Sequence, residues 1–123
     1  MAVENPVSSF LWWSTPFVQL ASDYPPVDTI TDFCSYGTPW RKRTRFWSWG
    51  LDGTERLRKI CKSTHGICDF SCKQHVLLKG VNKHGKYLTL QAQPYPCSLC
   101  TAIARCYLES WQEQLLAAMS KPA

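Results

Sequence analysis

The segment near the C-terminus most constrains the fold, because it predicts one long amphipathic helix. Apolar residues recur there at three- to four-residue spacing, as at Leu99, Ile103 and Cys106. Pro96 stands near the first turn, where the missing proline N–H costs no hydrogen bond. We therefore predict a helix over residues 97–119, packed on a small core that a single domain of 123 residues can form.

Two further segments predict strands, so the expected class is α/β. "VDTITDFCSYG" at residues 27–37 and "TRFWSWG" at residues 44–50 are rich in β-branched and aromatic residues. Before them, residues 10–21 favour an N-terminal helix that Pro16 kinks or restarts, because proline cannot donate a backbone hydrogen bond. The prediction is a sheet of a few short strands with an N-terminal helix and a long C-terminal helix.

The segment between these elements, residues 50–90, is an irregular insert that contains Cys and His. Residues 54–62 favour a short helix after Gly53, whereas "NKHGK" predicts a hairpin turn in which Gly85 supplies the positive φ angle.

Positive charge is concentrated in one part of the chain. The net charge is +5, and between residues 41 and 62 only Asp52 and Glu55 oppose the cations. Such a field favours an anionic partner, above all DNA. The candidate nucleic-acid-binding residues are Arg41, Arg43, Arg45, Arg56 and Arg58. The first three share one face if they lie in a strand. The alternative is a basic edge strand whose charges prevent aggregation.

Cysteine usage and hydropathy indicate the compartment. The chain has seven cysteines, an odd number, and its start lacks the features of a secretory signal peptide. No apolar run approaches the roughly 18 residues of a membrane span. We therefore expect reduced thiols or metal ligands in an intracellular protein, nuclear or cytoplasmic, with no membrane partner.

A Cys/His set provides candidate metal ligands. Cys61, Cys68, Cys72 and His75 supply four donors of the kind that a structural zinc ion takes. Their spacing differs from the common pairs of cysteines separated by two residues. The alternative is that these cysteines are partly buried and act as small hydrophobic residues.

The tripeptide "ENP" at residues 4–6 places a carboxyl group where a short apolar strand turns. A protonated Glu4 could donate a hydrogen bond to a ring nitrogen of a base and act as a general acid. A loop or helix-capping glutamate is the alternative.

Three motifs, in this order, resemble the second half of a cytosine-5 DNA methyltransferase, most closely the divergent forms of phages, viruses and mobile elements. They are "ENP", "DFCSYGTPWRKRTRFWSWG" from residue 32, and "AQPYPCSLCTAIARC" from residue 92. Asn-Pro replaces the family's Asn-Val, and Trp40 replaces its Gln. The family's arginines fall on Lys42 and Thr44, or on Arg41, Arg43 and Arg45 after a slip of one residue.

The resemblance implies a fragment of a methyltransferase-like sheet, with Glu4 and Lys42 as catalytic residues facing a flipped cytosine. The family's cofactor loop and Pro-Cys nucleophile lie upstream of "ENP". S-adenosylmethionine would therefore bind only if a second polypeptide supplied that half, and the chain alone would be inactive. In a permuted chain, Cys97 of "YPC" would be the alternative nucleophile.

Three functions follow as hypotheses. The first is a partial methyltransferase-like protein that binds DNA. The second is a small zinc-stabilised nucleic-acid-binding module of viral or mobile-element origin. The third is an interaction protein that packs a Trp-rich face, drawn from its six tryptophans, on a partner. The missing half of a sheet would leave apolar surface exposed, so we also expect marginal stability or self-association.

Overall fold

A small antiparallel sheet is the centre of the fold in the computed structural model, which describes residues 1–51 and 53–121. Its strands are β1 (Ala2–Pro6), β2 (Val27–Asp32) and β3 (Arg43–Ser48). The strand order is β1-β3-β2, and both neighbours run antiparallel to β3. The mixed α/β class is thus confirmed. A relation to a methyltransferase sheet stays a prediction.

In the chain, helices lie between the strands and after the last strand. The α-helices are α1 (Thr15–Asp23), α2 (Leu88–Gln91) and α3 (Cys97–Met119), and the 3₁₀ helices are Phe10–Trp13, Phe33–Tyr36 and Thr54–Leu57. The predicted C-terminal helix is confirmed with its bounds. In the predicted N-terminal helix, Pro16 restarts the helix: a 3₁₀ turn ends at Trp13 and α1 begins afresh.

The prediction of one strand over residues 27–37 is wrong at its C-terminal end. The strand stops at Asp32, and Phe33–Tyr36 turns as a 3₁₀ helix that ends at Gly37, whose φ is +101°. The amide of Asp32 donates to the Lys59 carbonyl at 2.8 Å instead of to a sheet neighbour. The chain therefore leaves the sheet at the buried Asp32.

The predicted hairpin around Gly85 is present only as a turn. Val81 and Tyr87 form one isolated antiparallel bridge, and α2 begins at Leu88 where a second strand was expected. The side-chain oxygen of Asn82 accepts hydrogen bonds from the amides of His84 and Lys86 at 2.9 and 3.1 Å. The turn is therefore built by an asparagine as well as by the glycine.

The two faces of the sheet carry different cores, because successive residues of β3 point to opposite sides. The face toward α3 holds the cluster of Phe33, Tyr36, Phe46, Leu57, Leu99 and Cys106. On the other face, Trp47 packs against Trp12 and Phe17 with ring centroids 4.9 and 6.2 Å away. Burying one such side chain stabilises the fold by about 1.5–3 kcal/mol.

The C-terminal half of α3 leaves apolar side chains exposed. Large apolar residues that are at least 43% exposed on this helix are Tyr107, Leu108, Trp111, Leu115, Leu116 and Met119. The exposed apolar surface that the sequence suggested is therefore found on α3. Self-association stays a prediction.

Candidate metal centre

Three cysteines and one histidine meet beside the end of β2. The ligand atoms of Cys34, Cys61, Cys68 and His75 all lie within 4.8 Å of one another, and the three cysteines are buried. Cys34 comes from the 3₁₀ helix that follows β2, whereas the other three come from the irregular loop 61–75. The 3₁₀ helix after β2 and the loop 61–75 thus meet at this cluster.

The dimensions of this cluster suit a zinc ion. Tetrahedral bonds of about 2.3 Å to sulfur and about 2.1 Å to nitrogen place neighbouring ligand atoms roughly 3.5–3.8 Å apart. The Cys61 Sγ lies 3.7 Å from His75 Nε2. A contraction of at most about 1 Å in the longest ligand separation would complete the tetrahedron.

Asp32 positions the backbone of Cys61. Its side chain is fully buried and accepts a hydrogen bond from the Cys61 amide at 2.7 Å. Arg43 donates two hydrogen bonds of 2.9 Å to the same carboxylate, and Arg41 donates one of 2.9 Å to the Cys61 carbonyl. Burial raises the pKa of Asp32, but the bonds from Arg43 and Cys61 outweigh burial and lower it. The ionised Asp32 therefore ties one ligand to the sheet.

Hydrogen bonds also surround the ligand atoms. The amide of Asp69 donates to Cys61 Sγ, and that of Phe70 donates to Cys68 Sγ, both at 3.4 Å. The Nδ1 of His75 lies 3.3 Å from the Ser63 hydroxyl, which leaves Nε2 directed at the cysteines. Such outer contacts orient ligands and stabilise thiolates at metal sites.

The thiols in this cluster differ in acidity. Burial and hydrogen bonds with Cys68 and Cys61 raise the pKa of Cys34. Burial also raises the pKa of Cys68, but hydrogen bonds from Ser71 and from the Phe70 amide outweigh it and lower the pKa to about 6. A thiolate at Cys68 is the form that a metal ion takes.

In the loop that carries the ligands, residues 61–75, the buried residues are Cys61 and Cys68. The second buried cluster of the protein consists of Cys34, Cys61 and Cys68 alone. Ser63, His65 and Cys72 have positive φ angles of 28°, 53° and 59°. Each such conformation costs about 1–3 kcal/mol in a residue with a side chain. A bound metal ion would offset this strain.

Sequence reasoning found three of these ligands and missed the fourth. Cys61, Cys68 and His75 belong to the cluster, whereas Cys72 is exposed and Cys34 stands in its place. The loop turns at Cys72, whose amide donates to the Cys68 carbonyl at 2.9 Å. Cys34 lay within the predicted strand of residues 27–37, so its distance from the Cys/His segment in the sequence gave no reason to group it with these residues.

The arginines predicted to bind nucleic acid have partners inside the protein. Arg41 and Arg43 pair with Asp32, Arg45 pairs with Asp28, and Arg56 pairs with Glu109. Arg58 is exposed and has no ion pair among the described residues. The charges of Arg41, Arg43 and Arg45 therefore serve the fold of β2 and β3 in the first place.

Exposed cations lie instead along the loop that follows. Residues 58–86 contain one acidic residue, Asp69, and seven basic residues, all exposed: Arg58, Lys59, Lys62, Lys73, Lys79, Lys83 and Lys86. In the part of the chain that the structure describes, none of the seven takes part in an ion pair. We call this segment the basic loop. The positive charge of the basic loop is therefore not neutralised by ion pairs among the described residues.

The two candidate catalytic residues lie in different surroundings. Glu4 lines a cavity between the sheet and α3, together with Phe46 and Tyr95. Lys42 donates to the Ala92 carbonyl at 2.7 Å, and its Nζ lies 4.8 Å from the centre of the Phe33 ring. Lys42 lines another pocket, beside His75. The cavity that Glu4 lines does not include Lys42.

Comparisons with known proteins give no match: no protein-family model, curated protein or solved structure is significantly similar to this chain. Neither these comparisons nor the described residues support an S-adenosylmethionine site. No helix within residues 1–51 and 53–121 has the length and hydropathy to cross a bilayer.

Proposed function

We propose that this protein is a zinc-stabilised nucleic-acid-binding module, in which one zinc ion fastens the basic loop to the end of the sheet. The observation that carries the proposal is the cluster of Cys34, Cys61, Cys68 and His75, whose ligand atoms lie within 4.8 Å. Three of its four residues, Cys61, Cys68 and His75, lie within the basic loop, and Cys34 lies next to the sheet. The metal ion would thus hold the segment that carries the unpaired positive charge.

The composition of the basic loop supports a nucleic-acid partner. Phosphate contacts need exposed cations that are free of internal ion pairs, as these seven are among the described residues. Phe70, between Lys62 and Lys73, is 48% exposed, and Tyr87, directly after Lys86, is 65% exposed. Aromatic rings interleaved with cations favour stacking on unpaired bases. The asparagine-built turn at residues 82–86 holds Lys83 and Lys86 close together.

The test is the salt dependence of DNA binding by the zinc-loaded chain. Fluorescence anisotropy with labelled single- and double-stranded DNA would give the slope of log K against log salt. Each phosphate contact contributes about 0.7–0.9 to that slope. We expect replacement of Lys79, Lys83 and Lys86 by Gln to reduce the slope by about 2–3 and to weaken binding to all sequences alike.

Arg56→Gln is the matched control, because Arg56 is exposed but paired with Glu109. It removes one charge outside the basic loop and should leave the slope unchanged, whereas loss of one phosphate contact would lower it by about 0.7–0.9. A nucleic-acid function would be contradicted if the chain did not bind DNA. It would also be contradicted if replacement of the three lysines left the slope of log K against log salt unchanged. Salt-independent binding of this chain to the apolar surface of a partner would instead favour the hypothesis of a Trp-rich interaction protein.

A further inference from the structure

The cavity between the sheet and α3 is separate from the metal centre and the basic loop. It has a volume of about 170 Å³, close to the roughly 150 Å³ of an engineered cavity that binds benzene. Apolar side chains from β3, the third 3₁₀ helix and α3 make up most of its wall, among them Phe46, Leu57 and Ile103. A compact apolar body therefore fits it.

Glu4 is the exception in this apolar wall. Its Oε2 is fully buried and has no hydrogen-bond partner within the described residues. None of the ion pairs in that part of the chain includes Glu4. A carboxylate oxygen in such surroundings requires a donor to compensate for its lost hydration.

Other polar groups of the cavity wall have partners. The hydroxyls of Ser48 and Thr54 lie 3.1 Å apart, and the Cys106 thiol donates to the Gly53 carbonyl at 3.5 Å. Burial and a side-chain hydrogen bond with Glu4 raise the pKa of Tyr95, so the Tyr95 hydroxyl stays protonated and donates toward the Glu4 carboxyl group. The Oε2 of Glu4, which has no hydrogen-bond partner among the described residues, is therefore the acceptor offered to a bound molecule.

We propose that this cavity binds a compact organic amine, with its ammonium group on Glu4 and its apolar body against Phe46, Leu57 and Ile103. A cationic N–H donor pairs with a carboxylate more strongly than a neutral donor does, and the apolar wall excludes competing water. The cavity would then select ligands by the positive charge at one end and by the size of the apolar body at the other.

Two ligands of nearly equal size test this. Benzylammonium and benzyl alcohol would be titrated into the zinc-loaded full chain and followed by NMR chemical shifts. We expect benzylammonium to bind at least about tenfold more tightly, with the largest shifts at residues that line the cavity. Equal affinities, or no saturable binding of benzylammonium, would overturn the proposal.

Glu4→Gln should remove the preference, because it keeps the shape and loses the charge. Glu113→Gln removes the same charge from an exposed position on α3 and should leave the preference unchanged. Ile103→Phe, which fills the cavity, should abolish binding of both ligands and provides the test if Glu4→Gln does not fold. Retention of the preference in Glu4→Gln, or of binding in Ile103→Phe, would refute the site.

Discussion

At the scale of single residues, Cys34 and Cys72 should respond in opposite ways to the same substitution. Cys34 contributes a ligand atom to the cluster, whereas Cys72 is exposed in the neighbouring loop. Serine is a poor zinc ligand, so Cys34→Ser should reduce the zinc content from about one ion per chain to near zero. Cys72→Ser should retain it. Elemental analysis after dialysis measures both, and equal zinc content in the two variants would argue against this ligand set.

Asp32 and Asp28 form a second matched pair, since both lie on β2 and pair with arginines of β3. Asp32 is fully buried, whereas the side chain of Asp28 is 46% exposed. Asp32→Asn should cost about 2–3 kcal/mol, below the 3–5 kcal/mol of a fully buried pair because its arginines are partly exposed. Asp28→Asn should cost less than about 1 kcal/mol. Urea unfolding of the zinc-loaded variants compares them, and similar costs would show that Asp32 does not anchor the loop.

At the scale of secondary-structure elements, α3 and the class of the fold could be predicted from sequence, but the end of β2 could not. The helix repeats its apolar spacing over many turns, so local sequence suffices. At Phe33 the β-branched and aromatic pattern continues, yet the strand has ended. The cause is non-local: Asp32 is held by Arg43 and by the amide of Cys61. Tertiary contacts override strand propensity there.

The same limit applies to the metal centre. Cys61, Cys68 and His75 of this centre lie in one Cys/His-rich segment, so composition alone indicates them as candidate ligands. Cys34 joins them through the fold of the sheet, whereas Cys72, which has a positive φ angle, is exposed outside the cluster. Neither fact has a sequence signal at fixed spacing. The ion pairs of Arg43 and Arg45 likewise depend on strand register, which local sequence does not specify.

At the scale of the whole molecule, the protein has a small core for its length. The main cluster holds six buried residues, and the cluster under the loop holds three cysteines. Small domains of this kind commonly depend on a metal ion or a disulfide for stability. Every cysteine in the structure is free, so the metal site is the means of cross-linking that the described residues offer.

Removal of zinc should therefore change both thiol reactivity and stability. In the zinc-loaded protein, iodoacetamide should modify the exposed Cys72, Cys97 and Cys100 first. A strong chelator should then make Cys34, Cys61 and Cys68 reactive, because they lose both the metal and the order of the loop, and should lower the melting temperature by about 10 °C or more. Cys106 should stay the slowest, since it is buried in the core between α3 and the sheet and burial raises its pKa. Mass spectrometry of the alkylated peptides reads all seven sites, and unchanged rates at Cys34, Cys61 and Cys68 after chelation would mean that no metal holds this loop.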